Sequence, residues 1–206
     1  AEAIEIEFET LPSITGIAEA LENGAPQVWP DRSGNVAFEA EQGNAAKTEK
    51  AFAKAARTVS VTIVNNRLAS NYMETRACIA EYDKADKRWT LTLGSQGSHG
   101  MRDLIATYVL KVDPKRIRVV TPDVGGGFGT KIFLYREYPL AMIAAEKLKR
   151  PVRWVADRNE HFLADTHGRA NLATATMALD AKGRFIGLKV DLSAEMGAYL
   201  SQYGPF

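Results

Sequence analysis

The sequence reads as a mixed α/β fold in which strands and helices interleave, and three observations carry that reading. Short stretches rich in β-branched residues and two-residue alternation recur along the chain. Stretches with apolar residues three and four apart fall between them. No internal repeat or low-complexity tract interrupts the series. With 46% apolar and 25% charged residues among 206, the composition is that of an ordinary globular chain.

The elements follow in order. Ile4, Ile6 and Phe8 alternate with Glu5, Glu7 and Glu9, which predicts a half-buried strand. "ITGIAEALENGAP" predicts a short helix ended by Gly24 and Pro26. Residues 24–35, rich in Pro, Gly and Asn, form the most loop-like stretch and mark a candidate domain boundary. Asn44 to Ala56 is an Ala-rich helix with Asn44 as its N-cap. "RTVSVTIVNN", "RACIAEYD" and "RWTLTLGS" are β-rich. Met101, Leu104, Ile105, Tyr108 and Val109 follow helical spacing behind a capping Ser98. "RIRVVTPDV" is a strand. Leu140, Ile143, Ala144 and Leu148 mark the buried face of another helix, with Pro139 tolerated in its first turn. "PVRWVAD", "LATATMALD" and "RFIGLKVDLSAEM" return to strand, the last two joined through "AKG" as a hairpin.

Charge and cysteine content narrow the function classes. A formal net charge of +1 leaves no basic surface for nucleic acid. The single Cys78 forms no internal disulfide and points to a reducing, cytoplasmic compartment. No apolar run approaches the roughly 20 residues that span a bilayer, and "AEAIEIEFETLP" lacks the regions of an export signal. Both ends look cut, the first within a strand-like alternation and the last on an aromatic residue after a Gly-Pro turn, as in a piece of a larger polypeptide.

The stretch "VVTPDVGGGFGTK", residues 119–131, carries the strongest functional signal. Gly125, Gly126 and Gly127 remove every Cβ from a loop between apolar elements, so the backbone adopts positive φ and its N–H groups accept close approach by an anion or electronegative oxygen. The plain alternatives are a tight turn or a flexible linker. The linker fits badly beside apolar elements and a residue of buried type, Phe128. A phosphate-cradling G-x-x-x-x-G-K-[ST] loop fails because Thr130 precedes Lys131. A dinucleotide fingerprint G-x-G-x-x-G fails because Thr130 stands at its last glycine. "LGSQGSHGMR" places Gln96 at a strand end before a helix, where a primary amide offers both donor and acceptor. A surface glutamine bonding its own turn is the ordinary alternative. His99, His161 and His167 show no metal-ligand spacing, and one cysteine makes no metal site.

Together "GSQGSHGMR", "TPDVGGGFGTK", "YMETRA", "RPVRWVADRNEHFLADTHGRA" and "LDAKGRFIGLKVDLSAEMGAYLSQYGP" resemble the large, molybdenum-binding subunit of the xanthine dehydrogenase, aldehyde oxidase and aerobic carbon monoxide dehydrogenase family over essentially the whole chain. The closest flavour is the bacterial carbon monoxide dehydrogenase-like large subunit. The resemblance implies that Gly125, Gly126, Gly127, Phe128 and Gly129 supply main-chain N–H groups and an aromatic ring to a molybdenum–molybdopterin cofactor, in its cytosine dinucleotide form, and that Gln96 bonds an oxygen of the metal. Since the pterin carries its own sulfur ligands, no protein metal ligand is expected. Glu74 and Arg76 of "YMETRA" either line the substrate side or form a structural ion pair. Asp157, Arg158, Glu160 and Asp165 read as a structural polar network or a subunit contact.

The resemblance further implies oxidative hydroxylation of an aldehyde, N-heterocycle or carbon monoxide-like small molecule with water. Electrons leave through iron–sulfur clusters and FAD in other domains or subunits of a dimeric complex. No catalytic residue is expected here, because the family's general-base glutamate lies beyond residue 206. Ile132 stands where xanthine-specific members carry glutamate, which argues against a purine. Residues 1–25 then form the C-terminal tail of a preceding α/β hammerhead-like domain, and residues 26–206 the first part of the molybdopterin-binding domain. A non-catalytic binding or scaffold module of the same fold is the rival, and a phosphate-binding enzyme using the glycine loop a third reading.

Overall fold

A computed structural model describes residues 4–203, in two compact units. In chain order the first elements are α1 (Ile17–Ala20), α2 (Ala45–Phe52), β1 (Arg57–Asn65), β2 (Ala77–Asp83) and β3 (Arg88–Leu93). Helix α3 (Ser98–Leu104) follows and runs on into a wider π-helical turn over Ile105–Leu110. The rest are β4 (Ile117–Val120), α4 (Glu137–Leu148), β5 (Val152–Val155), α5 (Arg158–Ala164), β6 (Asn171–Leu179) and β7 (Phe185–Ala194).

One unit joins the described residues up to Arg67 to Arg169–Leu200. Its sheet is antiparallel, in the order β1-β6-β7. The β6–β7 hairpin turns where the Asp180 carboxylate accepts the N–H groups of Lys182 and Arg184 and Gly183 takes a φ of +78°. Helix α2 starts where the Asn44 side chain accepts the Lys47 N–H at 2.9 Å. It lies so close to β7 that a Cβ on Gly187 would come within 3.2 Å of Ala51. The register aligns Val59, Met177 and Leu188 in one rank, Val61, Ala175 and Val190 in the next, and Ile63, Ala173 and Leu192 in a third. These three ranks are apolar, and Arg57, Asn65 and Asn171 stand on the same face at their ends.

Residues 4–9 are not a strand. They run as irregular chain with Ile4, Ile6 and Phe8 exposed. Alternation makes a strand only where a neighbouring edge supplies hydrogen bonds, and among the described residues none pairs with them. Residues 1–3 of that stretch lie outside the described part, as do Gly204, Pro205 and Phe206.

The other unit comprises Leu68–Gly168 and the described residues after Leu200. Its sheet runs β4-β3-β2-β5; β2 is antiparallel to β3 and β5, and β3 is parallel to β4. A parallel neighbour needs a crossover, and α3 with its π-helical turn provides it. The core collects Ala80, Trp89, Leu91, Met101, Ile105, Tyr138 and Met142. Two helical details differ from expectation. Gly97, not Ser98, is the N-cap of α3, and the Ser95 hydroxyl accepts the Gly97 N–H at 3.4 Å. On α4 the buried side is Tyr138, Ala141, Met142 and Ala145, while Leu140 and Leu148 are exposed. Pro139 is the third residue of that helix, where no intrahelical N–H bond is lost.

This topology aligns three chain segments. β3 and β4 run in one direction and β2 in the other, with Cys78 opposite Leu93. The segment entering β2 (residues 72–76) therefore lies at the same sheet edge as the segments leaving β3 (94–97) and β4 (121–131). Met142→Ala should cost about 2–5 kcal/mol of unfolding free energy, whereas Leu140→Ser should change it by no more than about 0.5 kcal/mol. Urea titration of both variants checks which side of α4 is buried.

Candidate cofactor-binding site

Two adjacent parallel strands deliver Gln96 and the glycine loop to one edge of the sheet, where open α/β sheets place ligands. Ser95 and Thr121, just beyond the two strand ends, join through their hydroxyls at 2.7 Å. The Gln96 N–H donates to the Lys131 carbonyl at 3.2 Å. Its side-chain Oε1 accepts the N–H groups of Gly129 at 2.9 Å and Lys131 at 3.2 Å. Two backbone donors on one oxygen settle which end of the carboxamide faces the loop. The Nε2 donors are left for something other than the loop, and Gln96 is exposed.

At its other end the loop meets Glu74. The Glu74 N–H donates to the Gly125 carbonyl at 3.2 Å, and its Oε2 accepts the Gly125 N–H at 2.9 Å and the Lys131 ammonium at 2.6 Å. The hydrogen bond from Lys131, reinforced by that from Gly125, holds the Glu74 carboxyl below its ordinary value. Lys131 is only 1% exposed, with its ammonium 4.6 Å from the centre of the Tyr72 ring. Between the two anchors, the N–H groups of Gly126, Gly127 and Phe128 have no partner among the described residues.

The three glycines are required one by one. A Cβ on Gly125 would stand 2.5 Å from Glu74 Cβ, one on Gly126 2.9 Å from Tyr72 Cβ, and one on Gly127 2.5 Å from Gln96 Oε1. Gly126 and Gly129 take φ near +92°. Phe128 also takes a positive φ, +48°, a conformation costing a side-chain-bearing residue on the order of 1 kcal/mol. Its ring is 76% exposed, so the residue of buried type is instead presented outward.

Beneath Tyr72 lies a buried polar cluster. Its hydroxyl donates to the Asp165 carboxylate, and burial together with that carboxylate drives the phenol pKa far upward. Asp165 also takes Arg76 Nε at 2.6 Å and faces His161 Nδ1 at 2.8 Å. Arg76 reaches Glu137 at 3.2 Å and stacks over the Tyr135 ring. Burial opposes its charge, but Glu137 and Asp165 outweigh this and raise its pKa. Glu74 and Arg76 are thus not paired with each other: successive even positions leave the chain in different directions, one toward Lys131 and one into the core. Asp157 and Glu160 form a capping box on α5. Arg158 binds Asn71 Oδ1 and the carbonyls of Tyr72 and Met73. The expected structural network exists, and it supports the segment beneath the glycine loop. The burial of Lys131 and its place over the Tyr72 ring escaped the sequence reading, although both residues stand inside the quoted motifs. Among the described residues, no group of three or more His, Cys, Asp or Glu side chains is placed to hold a metal ion.

The family profile described as "Molybdopterin cofactor-binding domain" matches residues 28–206. The chain belongs to that family. The chain is 31% identical over 96% of its length to the carbon monoxide dehydrogenase large chain of Hydrogenophaga pseudoflava, covering 26% of that protein. It is 32% identical over 94% of its length to the nicotine 6-hydroxylase large subunit of Paenarthrobacter nicotinovorans, covering 23%. Quinoline 2-oxidoreductase from Pseudomonas putida 86 superimposes on 97% of this chain with a TM-score of 0.84 at 33% identity, using 25% of its own. The chain therefore spans about a quarter of the length of these relatives, and it shares the fold of the matching part of the quinoline oxidoreductase.

Two outcomes test this geometry. Gly127→Ala should cost on the order of 1–3 kcal/mol by forcing Gln96 aside. Gly100→Ala, in α3 with nothing within 4 Å of the new Cβ, should stabilise by up to about 1 kcal/mol; thermal unfolding of both reads the contrast. The second concerns pH. Because the Glu74 pKa is lowered in the fold, its ties contribute stability above the ordinary carboxylate range and lose it as pH falls through the lowered value. The amide proton shift of Gly125, which donates to Glu74, should titrate in that acid window, while that of Gly129, which donates to the non-ionising Gln96, should not.

Proposed function

We propose that this domain holds molybdopterin within the large subunit of a molybdenum-dependent oxidoreductase, through Gln96, Gly125, Gly126, Gly127, Phe128 and Gly129. One observation carries the reading: a carboxamide and a glycine loop 33 residues apart are hydrogen-bonded together at 2.9 Å, leaving three successive main-chain donors without acceptors among the described residues. Such a surface fits an oxygen-rich, anionic group that brings its own metal ligands.

In this reading Gly125 and Gly129 form the frame, since Glu74 and Gln96 take their N–H groups. Gly126, Gly127 and Phe128 donate to the cofactor. Gln96 donates through Nε2, and the exposed Phe128 ring closes one side against water. The bound group supplies the redox chemistry of an oxidative hydroxylation with water as the oxygen source. The protein's contribution is donors fixed before binding, which require no reorganisation when charge develops.

The finer parts of the reading rest on the family resemblance of the sequence motifs alone. They are a cytosine dinucleotide form of the cofactor, iron–sulfur clusters and FAD in partner domains or subunits, a dimeric complex in the cytoplasm, and a general-base glutamate beyond residue 206. Substrates are aldehydes, N-heterocycles or a carbon monoxide-like molecule, with Ile132 disfavouring purines. Residues 1–25 are assigned to the tail of the preceding domain and 26–206 to the first part of the cofactor-binding region. The 206-residue chain alone should not turn over substrate.

Elemental analysis of the complete polypeptide decides between this reading and a non-catalytic scaffold: the expected result is molybdenum near one per chain, and its absence sinks the proposal. Gln96→Glu keeps an acceptor for Gly129 and Lys131 but loses the outward N–H groups. Turnover should fall by about 10²-fold or more with the melting temperature nearly unchanged.

A further inference from the structure

Glu74 and Lys131 are tied to both ends of the glycine loop without belonging to it. Lys131 grips Gln96 through its own backbone, giving its N–H to Oε1 and receiving the Gln96 N–H on its carbonyl. Its side chain turns back beneath the loop to the Glu74 carboxylate at 2.6 Å. Glu74 grips Gly125 in the same two-handed way, N–H to carbonyl and carboxylate to N–H. The circuit Gln96–Lys131–Glu74–Gly125 is therefore closed by one ion pair. Gly94 lies under that pair: a Cβ there would stand 3.0 Å from Glu74 Oε2 and 3.5 Å from Lys131 Nζ.

We propose that Glu74 and Lys131 are positioning residues, an ion-pair clamp that sets the distance between Gly125 and Gln96 and so holds the N–H groups of Gly126, Gly127 and Phe128 as a fixed donor set. The cofactor reading enters only in what those donors receive. The clamp acts through main-chain geometry, and neither charged group needs to touch a ligand.

The two partners differ in surroundings, and this makes the proposal testable. The Lys131 side chain is 1% exposed and that of Glu74 45%. Glu74→Gln keeps an amide oxygen for the Lys131 ammonium but removes its negative charge, leaving a buried cation without its counter-ion. Lys131→Met leaves a carboxylate that reaches water. The expected order of melting temperatures is wild type, then Lys131→Met, then Glu74→Gln, with the double variant recovering most of the loss of Glu74→Gln. Recovered stability should not recover the loop. In all three variants the amide resonances of Gly126, Gly127 and Phe128 and the side-chain NH2 of Gln96 should move. Exchange of the bonded Gly125 and Gly129 amides should quicken by roughly tenfold or more, while the amides of Arg57–Asn65 stay in place. Unmoved loop resonances in Lys131→Met, or a double variant that restores them along with stability, would overturn the clamp. Molybdenum content of the complete polypeptide separates the two proposals. Loop resonances that respond while metal content stays at wild-type level keep the clamp and count against cofactor binding by these amides.

Discussion

One carboxamide oxygen, on Gln96, accepts two main-chain N–H groups from the far side of a loop that begins 29 residues later, and most of what surrounds it follows from keeping that arrangement in place. Carboxamides are usually free to turn over, exchanging donor and acceptor. Here the two N–H groups leave a single orientation, and the remaining donors of Gln96 acquire a direction. The same contact curves the chain between Gly127 and Lys131, where the Thr130 N–H returns to the Gly127 carbonyl at 2.8 Å.

The sheet makes that contact possible. With β3 and β4 parallel and adjacent, their exits coincide, and an antiparallel β2 brings its own entry to the same edge. The entry is then secured from below: Tyr72 and Arg76 share Asp165, and Arg158 holds the carbonyls of Tyr72 and Met73. Charge buried this deeply is weak evidence for stability in itself. Its effect here is to give the floor of the glycine loop a single conformation, with β2, α4 and α5 all pulled on the same few oxygen atoms.

Much of the fold was legible because strand alternation and cap chemistry are local. The alternation that marks β1 to β7 and the Asn44 cap can be read within a few residues, although the strands' partners lie far along the chain. Where the physics is not local the sequence was silent or misleading. Residues 4–9 have the alternation of a strand but no partner edge among the described residues. Helix α4 is apolar on nearly all sides, so Leu140 and Met142 make equally good core residues on paper, and tertiary packing chose Met142. The pairing of Gln96 with the glycine loop came from resemblance to a family, since no period or spacing joins positions 96 and 129. Lys131 illustrates the hardest case. Lysine is seldom buried, and only the folded arrangement shows that Glu74 is the counter-ion of Lys131 and not of Arg76, two residues further along the chain.

The packing of the three glycines also bears on heredity. Positions 125, 126 and 127 are blocked by three different neighbours, Glu74, Tyr72 and Gln96. A suppressor that trims one neighbour to make room for a new methyl group does nothing for the other two. Each neighbour is itself engaged elsewhere, Tyr72 with Asp165, Glu74 with Lys131 and Gln96 with Gly129. A single compensating change therefore opens only one of the three positions, at the expense of a contact made elsewhere.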